Sequence, residues 1–177
     1  MKLNTHGWFS GVRRVVSPNH DARPARTPVS LLVIHSISLP PDEFGGAGVE
    51  QFFTNTLNSE EHPYYAHLRG VTVSAHFFIR RTGEIVQFVS CHRRAWHAGA
   101  SLWRGRARCN DFSIGIELEG SDFVPFADAQ YRSLAYLTRR LRRAYSIGDI
   151  TGHSDVAPGR KTDPGPHFDW PRYRNSL

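Results

Sequence analysis

Apolar and polar positions along the chain change period several times, and each change predicts an element. Ser30-Leu-Leu-Val-Ile-His35 is a short apolar run rich in β-branched residues and predicts a buried strand with a histidine at its end. Val49, Phe52, Phe53 and Leu57 are spaced for one face of a short helix. Val73–Arg80 and Ile85–Val89 predict two strands, with Arg81-Thr-Gly-Glu84 between them as a hairpin turn in which Gly83 supplies positive φ. Ser113–Glu119 alternates strictly. Ile114, Ile116 and Leu118 share one face, and Ser113, Gly115, Glu117 and Glu119 share the other.

The most regular helix spans Asp128–Arg143, with Tyr131, Leu134, Ala135, Thr138, Leu141 and Tyr145 on one stripe. Asp128 is placed to cap its start and Gly148 to end it. Residues 1–28 read as an irregular lead-in, broken by Pro18, Pro24 and Pro28, and residues 151–177 read as a loop-rich tail. Interleaved strands and helices with one clear hairpin predict an α/β chain: a single domain, residues 1–177, with a central mixed β-sheet flanked by helices.

Length supports one domain. At 177 residues the chain can bury its own core without staples. No apolar run is long enough to span a bilayer, and no signal-peptide-length stretch follows Met1, so a cytoplasmic protein is expected. Two cysteines, Cys91 and Cys109, are read as free thiols in a reducing compartment. Lys plus Arg is 22 against 16 for Asp plus Glu, a net charge of +6, which suits an acidic partner. Arg139-Arg-Leu-Arg-Arg143 carries part of the excess. It reads as a solvated helix end facing the negative pole of the helix dipole rather than as a nucleic-acid patch.

Ten histidines bring in the candidate chemistry. His35 ends the first buried strand, His153 lies in Thr151-Gly-His-Ser-Asp155, and Asp163 lies in Lys161-Thr-Asp-Pro-Gly165. Zinc accepts imidazole nitrogen and carboxylate oxygen, and a catalytic site uses three protein ligands. Spacing alone leaves these three open between a site and ordinary core or surface residues. Glu117, in mid-strand, is either part of a solvated polar face or a general base facing a pocket. Lys161 is one of only two lysines and sits two residues from Asp163. Trp96, between Ala95 and His97, is either a platform for a sugar face or a core ring.

Longer motifs narrow the choice. His35-Ser-Ile-Ser-Leu-Pro-Pro-Asp-Glu-Phe-Gly-Gly46, Val73-Ser-Ala-His76, Arg80-Arg-Thr-Gly-Glu-Ile-Val-Gln87 and Arg94-Ala-Trp-His-Ala-Gly99 occur in that order. Cys109-Asn-Asp-Phe-Ser-Ile-Gly-Ile-Glu-Leu-Glu-Gly120, Thr151-Gly-His153 and Arg160-Lys-Thr-Asp-Pro-Gly-Pro166 follow. From about Gly7 to Tyr173 the chain resembles the AmpD type of cytoplasmic 1,6-anhydro-N-acetylmuramyl-L-alanine amidases. It departs from that pattern at Ser36, where many members carry Asn, and at Thr72, where some carry Arg.

The resemblance implies the fold shared with peptidoglycan recognition proteins and phage amidases. It implies one Zn2+ held by His35, His153 and Asp163, with Glu117 and Lys161 as the catalytic pair. The implied reaction cleaves the amide between anhydro-N-acetylmuramic acid and L-Ala of the stem peptide. The implied role is cell-wall recycling, which also limits β-lactamase induction. Ser36, Trp96, His97 and Arg108 are the implied substrate contacts, with His97 nearer substrate than metal and His76 structural. The expected partner is a small soluble anhydro-muropeptide bound by a monomer, with neither nucleic acid nor membrane involved. The competing readings are a non-catalytic peptidoglycan-binding module and an amidase of intact murein. The complete set of metal-ligating residues disfavours the first, and the missing export signal disfavours the second.

Overall fold

Leu31–Ile37 and Ser113–Glu119 lie side by side in parallel at the centre of the sheet, Leu31 against Ser113 and Ile37 against Glu119. A computed structural model describes all residues, 1–177. In chain order the elements are β1 (Arg13–Arg14), β2 (His20–Ala22), β3 (Leu31–Ile37), α1 (Gly48–Phe53), β4 (Phe77–Ile79), β5 (Ile85–Gln87) and β6 (Arg93–Ala95). There follow β7 (Leu102–Trp103), β8 (Arg106–Ala107), β9 (Ser113–Glu119), α2 (Asp128–Ala144), β10 (Asp149–Gly152), α3 (His153–Val156) and α4 (Trp170–Asn175).

The main sheet has the order β1-β5-β4-β9-β3-β10. Only the β4–β5 hairpin is antiparallel, and β9, β3 and β10 run parallel. This is the mixed sheet that the sequence pattern predicts. β9 is covered on both faces, so all seven of its residues are buried, Ser113, Glu117 and Glu119 included.

Alternation divides the core. Leu32 and Ile34 of β3 and Ile114, Ile116 and Leu118 of β9 pack with Leu134, Leu137 and Leu141 of α2 and with Phe168 and Tyr173 of the tail. Leu31 and Val33 point the other way and pack with Ala98, Cys109, Phe112 and Val156. A third cluster sets Phe78, Val86 and Phe88 against Phe52 and Phe53 of α1. Because period two carries His35 with Leu31 and Val33, and Glu117 with Ser113 and Gly115, both polar groups emerge on the face away from α2.

Several local expectations are corrected. The lead-in is partly structured: β1 pairs with β5 at the sheet edge, and β2 pairs with β6. Val73–His76 does not enter a strand, because the Ser74 amide donates to the Trp96 carbonyl instead. Leu57 lies beyond the end of α1. Asp128 does not cap α2. Gln130 turns back, and its Oε1 accepts from the Ala127 amide at 3.0 Å. The helix stops before Gly148, with Tyr145 already extended.

The tail is not simply loop. It holds α4, whose start is capped by Asp169 Oδ1 accepting from the Arg172 amide at 2.9 Å. Tyr173 then shares a 2.6 Å hydroxyl hydrogen bond with Thr138 of α2. A proline-rich sequence hides such a helix because long-range docking, not periodicity, stabilises it. Both cysteines are buried and unpaired.

Leu134 is fully buried between α2 and the sheet, on the face opposite the polar groups. Leu134→Ala is expected to cost about 2–5 kcal/mol in denaturant unfolding. The arrangement of the groups around His35 should survive, because Leu134 packs on the other face of the sheet.

Candidate metal centre and active site

Sheet register assembles the site. His35 is the direct partner of Glu117 across the β3–β9 pair. On the other side Gly152 of β10 pairs with Ile34, so His153, the next residue, stands beside His35. Three chemistry-bearing residues are therefore delivered at the carboxyl ends of three adjacent parallel strands, where open α/β sheets bind ligands. Asp163 arrives from the tail, its carbonyl accepting from the Ser154 amide at 2.8 Å.

Asp163 Oδ2 lies 3.1 Å from His35 Nδ1 and 3.0 Å from His153 Nδ1. The ligating atoms of these three residues all fall within 4.8 Å of one another. Two imidazole nitrogens and one carboxylate oxygen form the donor set of a catalytic zinc site, so the residues fit that metal. Glu117 Oε1 is 3.9 Å from His35 Nδ1, and its other oxygen, Oε2, is buried with no hydrogen-bond partner. A partnerless buried carboxylate oxygen is costly, and it is available to a proton or to a water.

The electrostatics follow from burial and from the cluster itself. Burial pushes the His35 pKa down from 6.5 to about 4, against the opposing pull of Asp163. His97 is held well below the usual imidazole range by burial and by His35, His76 and His153 around it. Burial raises the Asp163 carboxyl, but hydrogen bonds from His153 and His35 outweigh it and leave the pKa depressed. Glu117 is pushed well above the usual carboxylate range, by burial first and the Asp163 charge second, with Lys161 acting against both. A dication among His35, His153 and Asp163 would favour the ionised form of Glu117.

Glu117, His153 and Asp163 line a cavity of about 590 Å³, with Ser36, Trp96, His97, Asp122, Phe123, Arg160 and Lys161 among its other walls, and His35 lies buried directly behind them. Ser36, Trp96 and Lys161 thus line the space that the sequence motifs imply for them. His97 lines it as well, and its Nδ1 sits 2.9 Å from His35 Nε2, so the ring touches both the cavity and the His35 group. Arg108 lies outside the cavity wall; its side chain is 70% exposed and reaches Asp111 Oδ2 at 3.3 Å, on a left-handed backbone (φ 63°).

Three contributors escaped the sequence reading. Arg160 lines the cavity and anchors to the carbonyls of Ala98 and Ala100, both at 2.7 Å. Phe123 is the most exposed large apolar side chain and stands at the rim. Glu119, whose alternation alone allowed a solvated face, is buried and accepts the Gly45 and Arg81 amides at 2.6 and 2.8 Å, which fixes the loop beside the cavity. Adjacency to Glu117 in the alternating run was the one signal for it. No helix is long and apolar enough to cross a membrane.

A mixed sheet carrying two histidines, an aspartate and a buried glutamate at the ends of parallel strands suits metal-assisted hydrolysis. The chain belongs to the N-acetylmuramoyl-L-alanine amidase family, whose model matches residues 25–166, and it is an enzyme of that class. It is 56% identical over 174 residues to the 1,6-anhydro-N-acetylmuramyl-L-alanine amidase AmpD of Salmonella typhimurium, covering 97% of this chain and 93% of that one. A crystal structure of a selenomethionine AmpD derivative superposes with a TM-score of 0.97 at 54% identity, covering 100% and 99% of the two chains. The Escherichia coli amidase AmiD, solved with anhydro-N-acetylmuramic acid-L-Ala-D-γ-Glu-L-Lys, superposes at 0.61 with 31% identity over 87% of this chain and 60% of that one.

A histidine kept neutral by folding makes stability depend on pH. Its folded pKa lies below the unfolded one, so between the two the unfolded state binds more protons, and stability falls as pH falls. For His35 the window runs from 6.5 down to about 4. Metal-free protein is expected to lose on the order of 2 kcal/mol between pH 7 and pH 5 from this group alone. Urea unfolding at the two pH values measures it. A stability independent of pH across that range would contradict the buried, neutral assignment.

Proposed function

We propose that this amidase hydrolyses the amide joining 1,6-anhydro-N-acetylmuramic acid to L-Ala of the stem peptide, on small soluble fragments in the cytoplasm, as a step in cell-wall recycling. The observation that carries the reading is the meeting of His35 Nδ1, His153 Nδ1 and Asp163 Oδ2 at the edge of a cavity that Glu117, with its partnerless Oε2, also lines. His35, His153 and Asp163 would hold one zinc ion. When bound, zinc supplies Lewis-acid activation of water and of the scissile carbonyl.

The remaining chemistry belongs to the chain. Glu117 accepts a proton from the attacking water and returns it to the departing L-Ala amine, a role that needs a carboxylate within reach and free of other partners. The Lys161 ammonium faces the cavity and opposes the negative charge that develops on the carbonyl oxygen. Ser36 and Trp96 border the same space, the first offering a hydroxyl and the second an aromatic face for the sugar ring. A cavity of about 590 Å³ lies in the range that binds a compact ligand, which favours a soluble fragment over a murein strand. The acidic stem peptide also matches the net charge of +6.

Incubation of zinc-loaded protein with anhydro-muramyl tripeptide should release the free anhydro-sugar and the tripeptide, read by mass spectrometry. Bound but intact substrate would establish the binding-module reading instead. Chelation should abolish turnover and stoichiometric zinc should restore it.

Glu117→Ala is expected to lose on the order of a hundredfold or more in kcat while zinc content stays near wild type. A variant that keeps most of its activity would remove Glu117 from its assigned role. Replacing Cys91 and Cys109 together by Ala should leave zinc content unchanged, since both thiols are buried in apolar clusters away from the His35 group.

A further inference from the structure

His35 and His153 turn the same edge toward Asp163, each through Nδ1. Both therefore carry Nε2 away from the cluster and into protein. An imidazole that ligates through one nitrogen keeps its proton on the other, and in a buried site that proton needs an acceptor. His35 Nε2 lies 2.9 Å from His97 Nδ1, and His153 Nε2 lies 3.3 Å from the Ala98 carbonyl. The two acceptors come from consecutive residues.

That dipeptide is fixed more firmly than an ordinary loop segment. The amides of His97 and Ala98 both donate to Asn110 Oδ1, at 3.2 and 2.8 Å. His97 Nε2 lies 3.1 Å from Ser113 Oγ at the start of β9. The His97 ring rests directly on Gly115, where an added Cβ would come to 2.6 Å from Nδ1 and 2.7 Å from Cδ2. Gly115 is thus the one residue in β9 whose missing side chain makes room for another side chain behind the cluster. The Ala98 carbonyl is held in place from its other side by Arg160 Nη2 at 2.7 Å.

We propose that His97–Ala98 is the outer support of the metal centre, with the His97 imidazole and the Ala98 carbonyl holding His35 and His153 in the orientation that presents Nδ1. The inference rests on the zinc reading given above. His97 is a positioning residue: it acts through His35 and not on substrate. It can accept from His35 only with its own proton on Nε2, and Ser113 Oγ receives that proton. The relay His35 to His97 to Ser113 runs down one face of β9, and Asn110 and Gly115 set its position.

An imidazole in this role also differs from a carboxylate. It adds no charge, so two histidines, one aspartate and a dication keep a net charge of +1, which preserves the pull of the metal on water and carbonyl.

The test separates acceptor from packing. His97→Phe keeps a ring on Gly115 but offers no acceptor, whereas His97→Asn places an amide oxygen near the position of Nδ1 but leaves ring volume empty. Zinc dissociation constants from chelator competition are expected to rise ten- to a hundredfold in His97→Phe and to recover most of that loss in His97→Asn. In zinc-loaded protein the His35 Nε2 proton should give a protected imidazole resonance in wild type and His97→Asn, absent in His97→Phe.

Ser113→Ala, which removes the acceptor one step back, should weaken zinc binding by a few-fold and carries the test should His97→Phe fail to fold. Zinc affinity unchanged in both His97→Phe and Ser113→Ala, or restored by Phe and not by Asn, would overturn the proposal in favour of packing alone. Wild-type protein that takes up no zinc would overturn the metal reading beneath it, a result distinct from wild-type uptake with variants that match it.

Discussion

Parallel pairing of Leu31–Ile37 with Ser113–Glu119 is the constraint on which the rest of the molecule depends, because its register sets His35 directly against Glu117. A slip of one residue would turn the whole set of each strand to the wrong face, burying the carboxylate against Leu134 and Leu137 and sending isoleucines into the cavity. The register is held by burial on both sides. Ile114, Ile116 and Leu118 fill the α2 side, and Gly115 leaves on the other only the depth that the His97 ring occupies. Once that pair is set, β10 adds alongside β3 and brings His153 with it.

Polar groups buried around this centre are mostly satisfied, and their satisfaction shapes the loops. His76 Nδ1 accepts the Gly115 amide at 3.1 Å and joins the turn after Val73 to β9, the structural role expected of it. Gln130 reaches from α2 to the carbonyls of Ile79 and Glu119, tying helix to sheet. Arg23, from the lead-in, donates to the carbonyls of Asn110, Asp111 and Ser113 and so braces the segment that carries the clamp on His97. Against this background Glu117 Oε2 is a buried carboxylate oxygen without a partner, in keeping with the role proposed for it. The same economy explains why a separate binding-module reading gains nothing here, since a pure binder has no use for a buried carboxylate kept free beside a ligand cluster.

The long motifs around His35, Glu117, His153 and Asp163 made the site legible before any fold was in view. Those residues are polar groups set in apolar or glycine- and proline-rich surroundings, where their presence is costly unless they work. The motifs also carry Trp96, Ser36 and Lys161, and the fold sets all three along the cavity. Where Arg108 would reach was not legible, because an Arg-rich loop near Glu117 in sequence has no fixed direction; the fold leaves its side chain in solvent beside Asp111. The tail looked like loop because α3 and α4 are four and six residues long, too short to show a helical period or to stand without docking.

The sequence by itself determined the alternation of β3 and β9, the apolar stripe of α2, the turn at Gly83 and the kinds of ligand available, because these depend on contacts within a few residues. Only the tertiary structure decided which nitrogen of each histidine faces Asp163, that His97 Nδ1 meets His35 Nε2, and that Arg160 joins the cavity wall. Most of those outcomes turn on contacts between distant segments, such as the 62 residues between His35 and His97 and the 128 between His35 and Asp163. Local pattern carries no record of them, since they are fixed by strand register and by which buried donor finds which acceptor once the core has closed.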